Sequence, residues 1–193
     1  MILLNKPIKF LVLGRTGSGK TSIVRAVCEK MGLKQVVSYT TRPMRESEKI
    51  WSDHIFITDD EVKQYENDIA AYTEIDGNKY FVTYDIIDSS DVYVIDPAGL
   101  DSLKTKCKDR YEFVEIYIRT PQKIAEERAK SRGDKLKTFK QRWVSENQQF
   151  TDYERGQTFA YHLLNNQPFD ESVKKVCKWI QWEFDKRKEG EMV

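Results

Sequence analysis

The sequence predicts an α/β fold: a parallel sheet covered by helices on both faces. Three observations lead there. Four short apolar runs, Ile8 to Leu13, Val92 to Ile95, Phe113 to Ile118 and Ala160 to Leu164, have the length and composition of buried strands. Segments of helical periodicity lie between them, and strands alternating with helices build parallel sheets. One stretch, 38–88, breaks the alternation with hairpin signals and reads as an inserted, mixed α/β flap. The 193 residues suit a single domain, since a domain averages about 150.

The elements follow in order. The run Ile8 to Leu13 ends in Gly14. From Lys20 to Met31, residues Ile23, Val24, Val27, Cys28 and Met31 share one helical face, and Gly32 stands where a helix-ending glycine belongs. Val36 and Val37 start a second strand. Thr58 with Glu61 forms a capping box for a short helix through Glu66. Ile69 to Ile75 and Lys79 to Tyr84 flank Asp76-Gly77-Asn78, a hairpin. Asp96-Pro97 stops the run at Ile95, and a short helix follows Gly99. Thr120-Pro121 reads as a cap with proline at the first helical position, opening a helix to about Ser131. Another helix covers roughly Lys137 to Asp152. From Asp170 the tail is an amphipathic helix with Val173, Val176, Cys177, Ile180 and Phe184 inward.

Composition excludes several classes. Hydrophobic residues are 39% and charged residues 33%, which argues against disorder, collagen and a membrane bundle. No apolar run approaches the roughly 20 residues of a membrane span. Met1 to Lys9 has no small-residue cleavage site, so no signal peptide is expected. Cys28, Cys107 and Cys177 are widely separated and make no CxxC pair, which suits a reducing cytoplasm. Cys28 and Cys177 read as core thiols, and Trp143, Trp179 and Trp182 as packing residues. The net charge of +1 provides no global field for nucleic acid. Between Arg128 and Arg142, however, seven cations face one acid, Asp134. Such a segment is either a solvated helix face or the wall of a local anion site.

The strongest chemical signal is Gly14-Arg15-Thr16-Gly17-Ser18-Gly19-Lys20-Thr21, which matches G-x-x-x-x-G-K-[ST] between a strand and a helix. Glycines let backbone N–H groups turn inward around phosphate oxygens. The helix N-terminus adds its dipole, Lys20 reaches the β/γ-phosphates and Thr21 offers a magnesium ligand. Asp96 lies at the carboxyl end of a strand, where ligands bind in parallel sheets; it orders a metal or its waters, or is a turn aspartate before Pro97. Arg42 and Arg45, three apart beside hydroxyls, have the spacing to fork onto one phosphate.

Taken together, GRTGSGKT at 14–21, SYTTRPMRESE at 38–48 and DHIF at 53–56 resemble the guanylate kinase family of P-loop nucleoside monophosphate kinases. The resemblance runs on through Gly77-Asn78-Lys79-Tyr80, Asp96-Pro97-Ala98-Gly99, Glu127-Arg128 to Arg132, Arg142, and Leu163-Leu164-Asn165-Asn166. It implies one domain with a core of residues 1–37, 89–127 and 153–193, an acceptor-binding flap of 38–88 and a helical lid of 128–152. It also implies transfer of the γ-phosphoryl group of ATP, with Mg2+, to GMP, dGMP or a related nucleotide. ATP would be held by Gly14, Arg15, Thr16, Gly17, Ser18, Gly19, Lys20 and Thr21 with Arg128 and Asn165. The acceptor would be held by Ser38, Arg42, Arg45, Tyr80 and Asp96, and the metal by Thr21 and Asp96. Lys20, Arg42, Arg132 and Arg142 would stabilise the transferring group. A monomer or homodimer without nucleic-acid or membrane partners is expected.

The chain departs from the family in the flap. His54 stands where a tyrosine is usual, Ala71 where a glutamate reads the guanine edge, and Phe81-Val82 where Gly-Ser follows the hairpin tyrosine. Glu74 is the candidate replacement for the missing carboxylate. A flap histidine is also a feature of ribose bisphosphate-type phosphokinases, which resemble this chain less at Arg42 and Arg45. A non-catalytic guanylate-kinase-like binding module is a further alternative, though such a module needs none of Lys20, Thr21 and Asp96.

Overall fold

The computed structural model describes residues 6–44, 53–156 and 159–191. Two sheets organise the α/β fold. The first has the strand order β6-β1-β7-β8, built from β1 (Ile8–Leu13), β6 (Val92–Val94), β7 (Glu112–Arg119) and β8 (Tyr161–Leu164). It is the expected parallel sheet, with β8 registered beside β7 from Ile116↔Tyr161 to Arg119↔Leu164. All six residues of β1 are buried, as a strand covered on both faces requires.

The chain divides into two compact units, Met1–Leu11 with Lys34–Phe113 and Val12–Leu33 with Val114–Val193. The first contains the second sheet, in the order β3-β2-β5-β4: β2 (Ser38–Thr40), β3 (His54–Phe56), β4 (Ile69–Ile75) and β5 (Asn78–Thr83). β2 runs parallel to β3 and antiparallel to β5, so this sheet is mixed. Asp76 and Gly77 both take positive φ in the tight turn between β4 and β5, the conformation that short hairpins demand. A 3-10 turn (Glu61–Tyr65) supplies Tyr65, which packs with Tyr39 and Phe81 in an aromatic cluster. Burial and the bond to Tyr65 push the Tyr39 hydroxyl up to about 12. Two helices follow, α2 (Tyr84–Asp88) and α3 (Pro97–Cys107). α3 covers the edge of β4: Ser102 Oγ accepts the Tyr72 N–H at 3.1 Å, and Lys106 Nζ donates to Ile69 O at 2.8 Å. Those contacts occupy edge groups that would otherwise template a foreign strand.

The second unit holds α1 (Lys20–Met31), α4 (Gln122–Ser131), α5 (Leu136–Gly156) and α6 (Phe169–Glu191). α1 packs on α6. α4 packs on α5 through Ala125, Ala129 and Phe139, with Trp143 against them. On α6, Val173, Val176 and Ile180 are buried and Cys177 and Phe184 half-buried. Trp179 stacks on Tyr161, and Trp182, though 54% exposed, meets the same ring edge-on. Among the described residues, no helix is long and apolar enough to cross a membrane.

Candidate active site

The glycine-rich loop leaves β1 and enters α1 with Gly19 as N-cap at φ 86. Among the described residues no side chain caps this helix, and its first turn holds no acid. Its leading N–H groups and the positive end of its dipole are therefore presented to an anionic ligand. Packing explains the glycines. A Cβ on Gly14 would lie 2.3 Å from Ile118 O, and one on Gly19 would lie 2.8 Å from Asn165 Nδ2. Ser18, 2% exposed, keeps a buried Oγ with no hydrogen-bond partner among the described residues inside this cradle. Lys20 Nζ donates to Arg15 O at 3.3 Å.

Of the other residues expected to hold ATP, three take up positions that its motif alone did not predict. Asn165, 2% exposed, points its Nδ2 at Ser18 O (2.7 Å), while its Oδ1 accepts the Ser172 hydroxyl (2.8 Å). Arg128 donates to Ser18 O (3.3 Å) and Asn165 O (3.2 Å), and burial holds its guanidinium below the ordinary arginine value. Arg15 turns to α5: it donates to Asn147 Oδ1 at 2.9 Å and pairs with Glu154 at 3.6 Å. Its guanidinium stands over the rings of Trp143 and Phe150. α5 also delivers Glu146, whose Oε2 accepts the Thr16 N–H at 2.7 Å. Nothing in the sequence pattern marks Glu146, 130 positions away from Thr16. Arg132 follows α4 and is ion-paired with Asp134; Arg142 lies half-buried on α5.

In the flap sheet, strand register settles which side chains share a face, because directly opposed residues point the same way. Ser38 faces His54 across β2 and β3; Ala71 faces Val82 across β4 and β5; Tyr39 faces Phe81 and Thr40 faces Tyr80 across β2 and β5. The sheet therefore carries one row of Ala71, Val82, Ser38 and His54, and a second of Thr73, Tyr80, Thr40 and Phe56 on the same face. Ser38 Oγ and His54 Nδ1 are hydrogen-bonded at 3.0 Å, and the His54 ring meets Tyr80 edge-on at 5.6 Å. Arg42, whose guanidinium stands over Phe56, extends the second row. Ser38, Tyr80 and Arg42 are linked through the rings of His54 and Phe56, and Arg45 lies outside the described residues.

Glu74 does not join this row. Side chains alternate along a strand, so Glu74 and Tyr72 lie on the face opposite Ala71 and Thr73. There Glu74 is exposed, opposite Lys79, and accepts from the Tyr72 hydroxyl at 3.5 Å. The expected substitute carboxylate is corrected on this ground. Asp96 caps α3, accepting the Gly99 N–H at 2.9 Å through Oδ1. The turn role weighed for it is therefore present.

A phosphate cradle between a buried strand and an uncapped helix, in an α/β sheet with an inserted mixed flap, defines a P-loop phosphotransferase. Comparison narrows the class. The family model for guanylate kinase matches residues 6–183, and the chain belongs to that family, which phosphorylates GMP using ATP. Guanylate kinase of Hydrogenovibrio crunogenus is 28% identical over 177 residues, 86% of this chain and 83% of the relative. That of Thermotoga maritima is 34% identical over 121 residues, 58% of this chain and 57% of the relative. A crystal structure of guanylate kinase from Anaplasma phagocytophilum shares the fold. Its TM-score is 0.64 at 19% identity, over 95% of this chain and 89% of that one.

Proposed function

We propose that this member of the family transfers the γ-phosphoryl group of Mg-ATP to GMP or dGMP, with weakened selectivity for guanine. One observation supports the weakened selectivity above all: the acceptor row holds Ala71 and Val82, both buried and apolar, beside the Ser38–His54 pair. A wall without polar groups rejects a wrong base poorly, because it leaves nothing unpaired; apolar contacts discriminate only about 10–200-fold.

The division of labour follows from phosphoryl transfer, in which positioning and charge neutralisation dominate. The loop N–H groups and Lys20 hold the donor phosphates. Arg42, Arg45 and Tyr80 hold the acceptor phosphate. Arg132 and Arg142, in a lid of 128–152, neutralise the transferring group. Residues 38–88 act as the flap, and the remaining segments as the core. The residues fit a magnesium ion that arrives with ATP. Thr21 offers one hydroxyl at the head of an uncapped helix, and Mg2+ takes most of its shell from phosphates and water. Thr21 would hold the ion and Asp96 would orient its waters, and the ion would supply charge neutralisation for the phosphates. The three cysteines, none of them in a disulfide, suit a cytoplasmic enzyme.

The test of the donor assignment is Lys20→Ala. Removing the cation from the β/γ-phosphates is expected to lower Mg-ATP-dependent turnover about a hundredfold or more, by analogy with loss of one oxyanion-site donor. Folding should be preserved, as read by circular dichroism. Near-normal turnover would contradict the assignment.

A further inference from the structure

The loop carbonyl of Ser18 receives three donors. Asn165 Nδ2 lies 2.7 Å from it, the Thr120 hydroxyl 3.1 Å and Arg128 Nη1 3.3 Å. A carbonyl oxygen has two lone pairs, so this one is saturated. The network behind it is closed. Arg128 Nη2 also donates to Asn165 O, the Thr120 hydroxyl lies 3.4 Å from the same oxygen, and Ser172 fixes the Asn165 amide by donating to its Oδ1. Thr120, Asn165 and Ser172 are all buried. The sequence pattern assigns Thr120 to capping the following helix. The structure overturns that reading: α4 starts at Gln122 with Pro121 as N-cap, no side chain among the described residues caps it, and the Thr120 hydroxyl faces the loop instead.

Peptide geometry gives this arrangement a consequence. A trans peptide is planar, so the C=O of residue 18 and the N–H of residue 19 point in opposite directions. Drawing the Ser18 carbonyl outward aims the Gly19 N–H inward. The restraint is needed because glycine accepts either orientation of the preceding peptide readily. A flipped peptide would turn a carbonyl oxygen, the negative end of its dipole, toward the phosphates.

We propose that Thr120 is a positioning residue of the donor site. With Asn165 and Arg128 it clamps the Ser18 carbonyl outward and so keeps the Gly19 N–H directed at the phosphates. The clamp acts through the loop backbone, with no contact to ATP by the Thr120 side chain. It rests on the donor assignment made above and adds to it a residue that the loop motif does not contain.

Thr120→Val tests the clamp, since valine keeps the shape and removes the donor. Binding of Mg-ATP, of inorganic pyrophosphate and of GMP is measured separately by calorimetry on the full chain. The expected result is about tenfold weaker binding of Mg-ATP and pyrophosphate, the loss of about one buried hydrogen bond. GMP binding should be unchanged within about twofold, and Thr120→Ser should restore the donor affinities. Should Thr120→Val fold poorly, Ser172→Ala acts one bond further out. It is expected to weaken Mg-ATP about threefold with GMP unchanged. Wild-type affinity for Mg-ATP in both variants, or equal weakening of Mg-ATP and GMP, would overturn the proposal. A wild-type protein that binds neither Mg-ATP nor pyrophosphate would instead overturn the donor assignment itself, and the clamp with it.

Discussion

The phosphate loop and the face of the mixed sheet proposed to hold the acceptor are built from different parts of the chain. In the loop the ligand-facing groups are largely backbone N–H groups, and the surrounding side chains serve to orient them. Thr120, Arg128 and Asn165 all end on one carbonyl, and the glycines are dictated by contacts of 2.3 Å and 2.8 Å that a Cβ would make. On the mixed sheet the groups proposed to face the acceptor are side chains standing on a regular sheet. There Ala71 and Val82 oppose each other in register and are both buried. A backbone site tolerates little substitution and reports its chemistry in a short motif. A side-chain site can change what it reads while the fold stays as it is.

Substitutions at each region sharpen that contrast. The larger effect is expected at Arg42, because a charged group that holds a phosphate through side-chain contact has no backbone reserve. Arg42→Ala should raise the acceptor KM and reduce kcat/KM for the acceptor about 10- to 100-fold, leaving ATP affinity within about twofold. Steady-state kinetics with each substrate varied, supported by calorimetry, checks this. Lost ATP binding with unchanged acceptor binding would place Arg42 on the wrong substrate.

A smaller effect is expected at Glu146. Its carboxylate accepts the Thr16 N–H at 2.7 Å and so occupies a donor of the loop that binds phosphate. ATP must compete with that resident anion. Glu146→Gln should therefore tighten Mg-ATP about three- to fivefold, since a hydrogen bond to a charged group is worth more than one to a neutral amide. An unchanged or weaker Kd would mean that the contact survives ligand binding.

The parts legible in the sequence are those where local rules agree. β1 and α1 fall at Ile8–Leu13 and Lys20–Met31 as read, and β4 at Ile69–Ile75, because apolar period, glycine punctuation and motif all coincide there. α3 begins at Pro97, earlier than read: Asp96 caps it and Pro97 takes the first turn, a start signal that outweighs the helix penalty of Gly99. α5 runs on to Gly156 beyond the expected end near Asp152, and the short α2 has no periodicity to announce it. Thr58 and Glu61 do pair, but through the Thr58 N–H and hydroxyl donating to Glu61 Oε2, at the head of a 3-10 turn. In the site, Lys20, Thr21, Ser38, Arg42 and Tyr80 stand on motifs. Thr120 and Glu146 act across 102 and 130 positions of chain, and only the folded structure shows them facing the loop.

The acceptor series is the most direct test of the whole account. With Mg-ATP held saturating, kcat/KM is measured for GMP, dGMP, AMP, CMP and UMP, and repeated for Ala71→Glu. GMP or dGMP should be phosphorylated, with a preference over the other monophosphates no greater than about 200-fold, and Ala71→Glu should increase that preference. A preference above roughly ten-thousandfold in the natural protein, unmoved by Ala71→Glu, would show that the row of Ala71, Val82, Ser38 and His54 does not face the base. Absence of turnover with all five acceptors would contradict the kinase assignment for this chain.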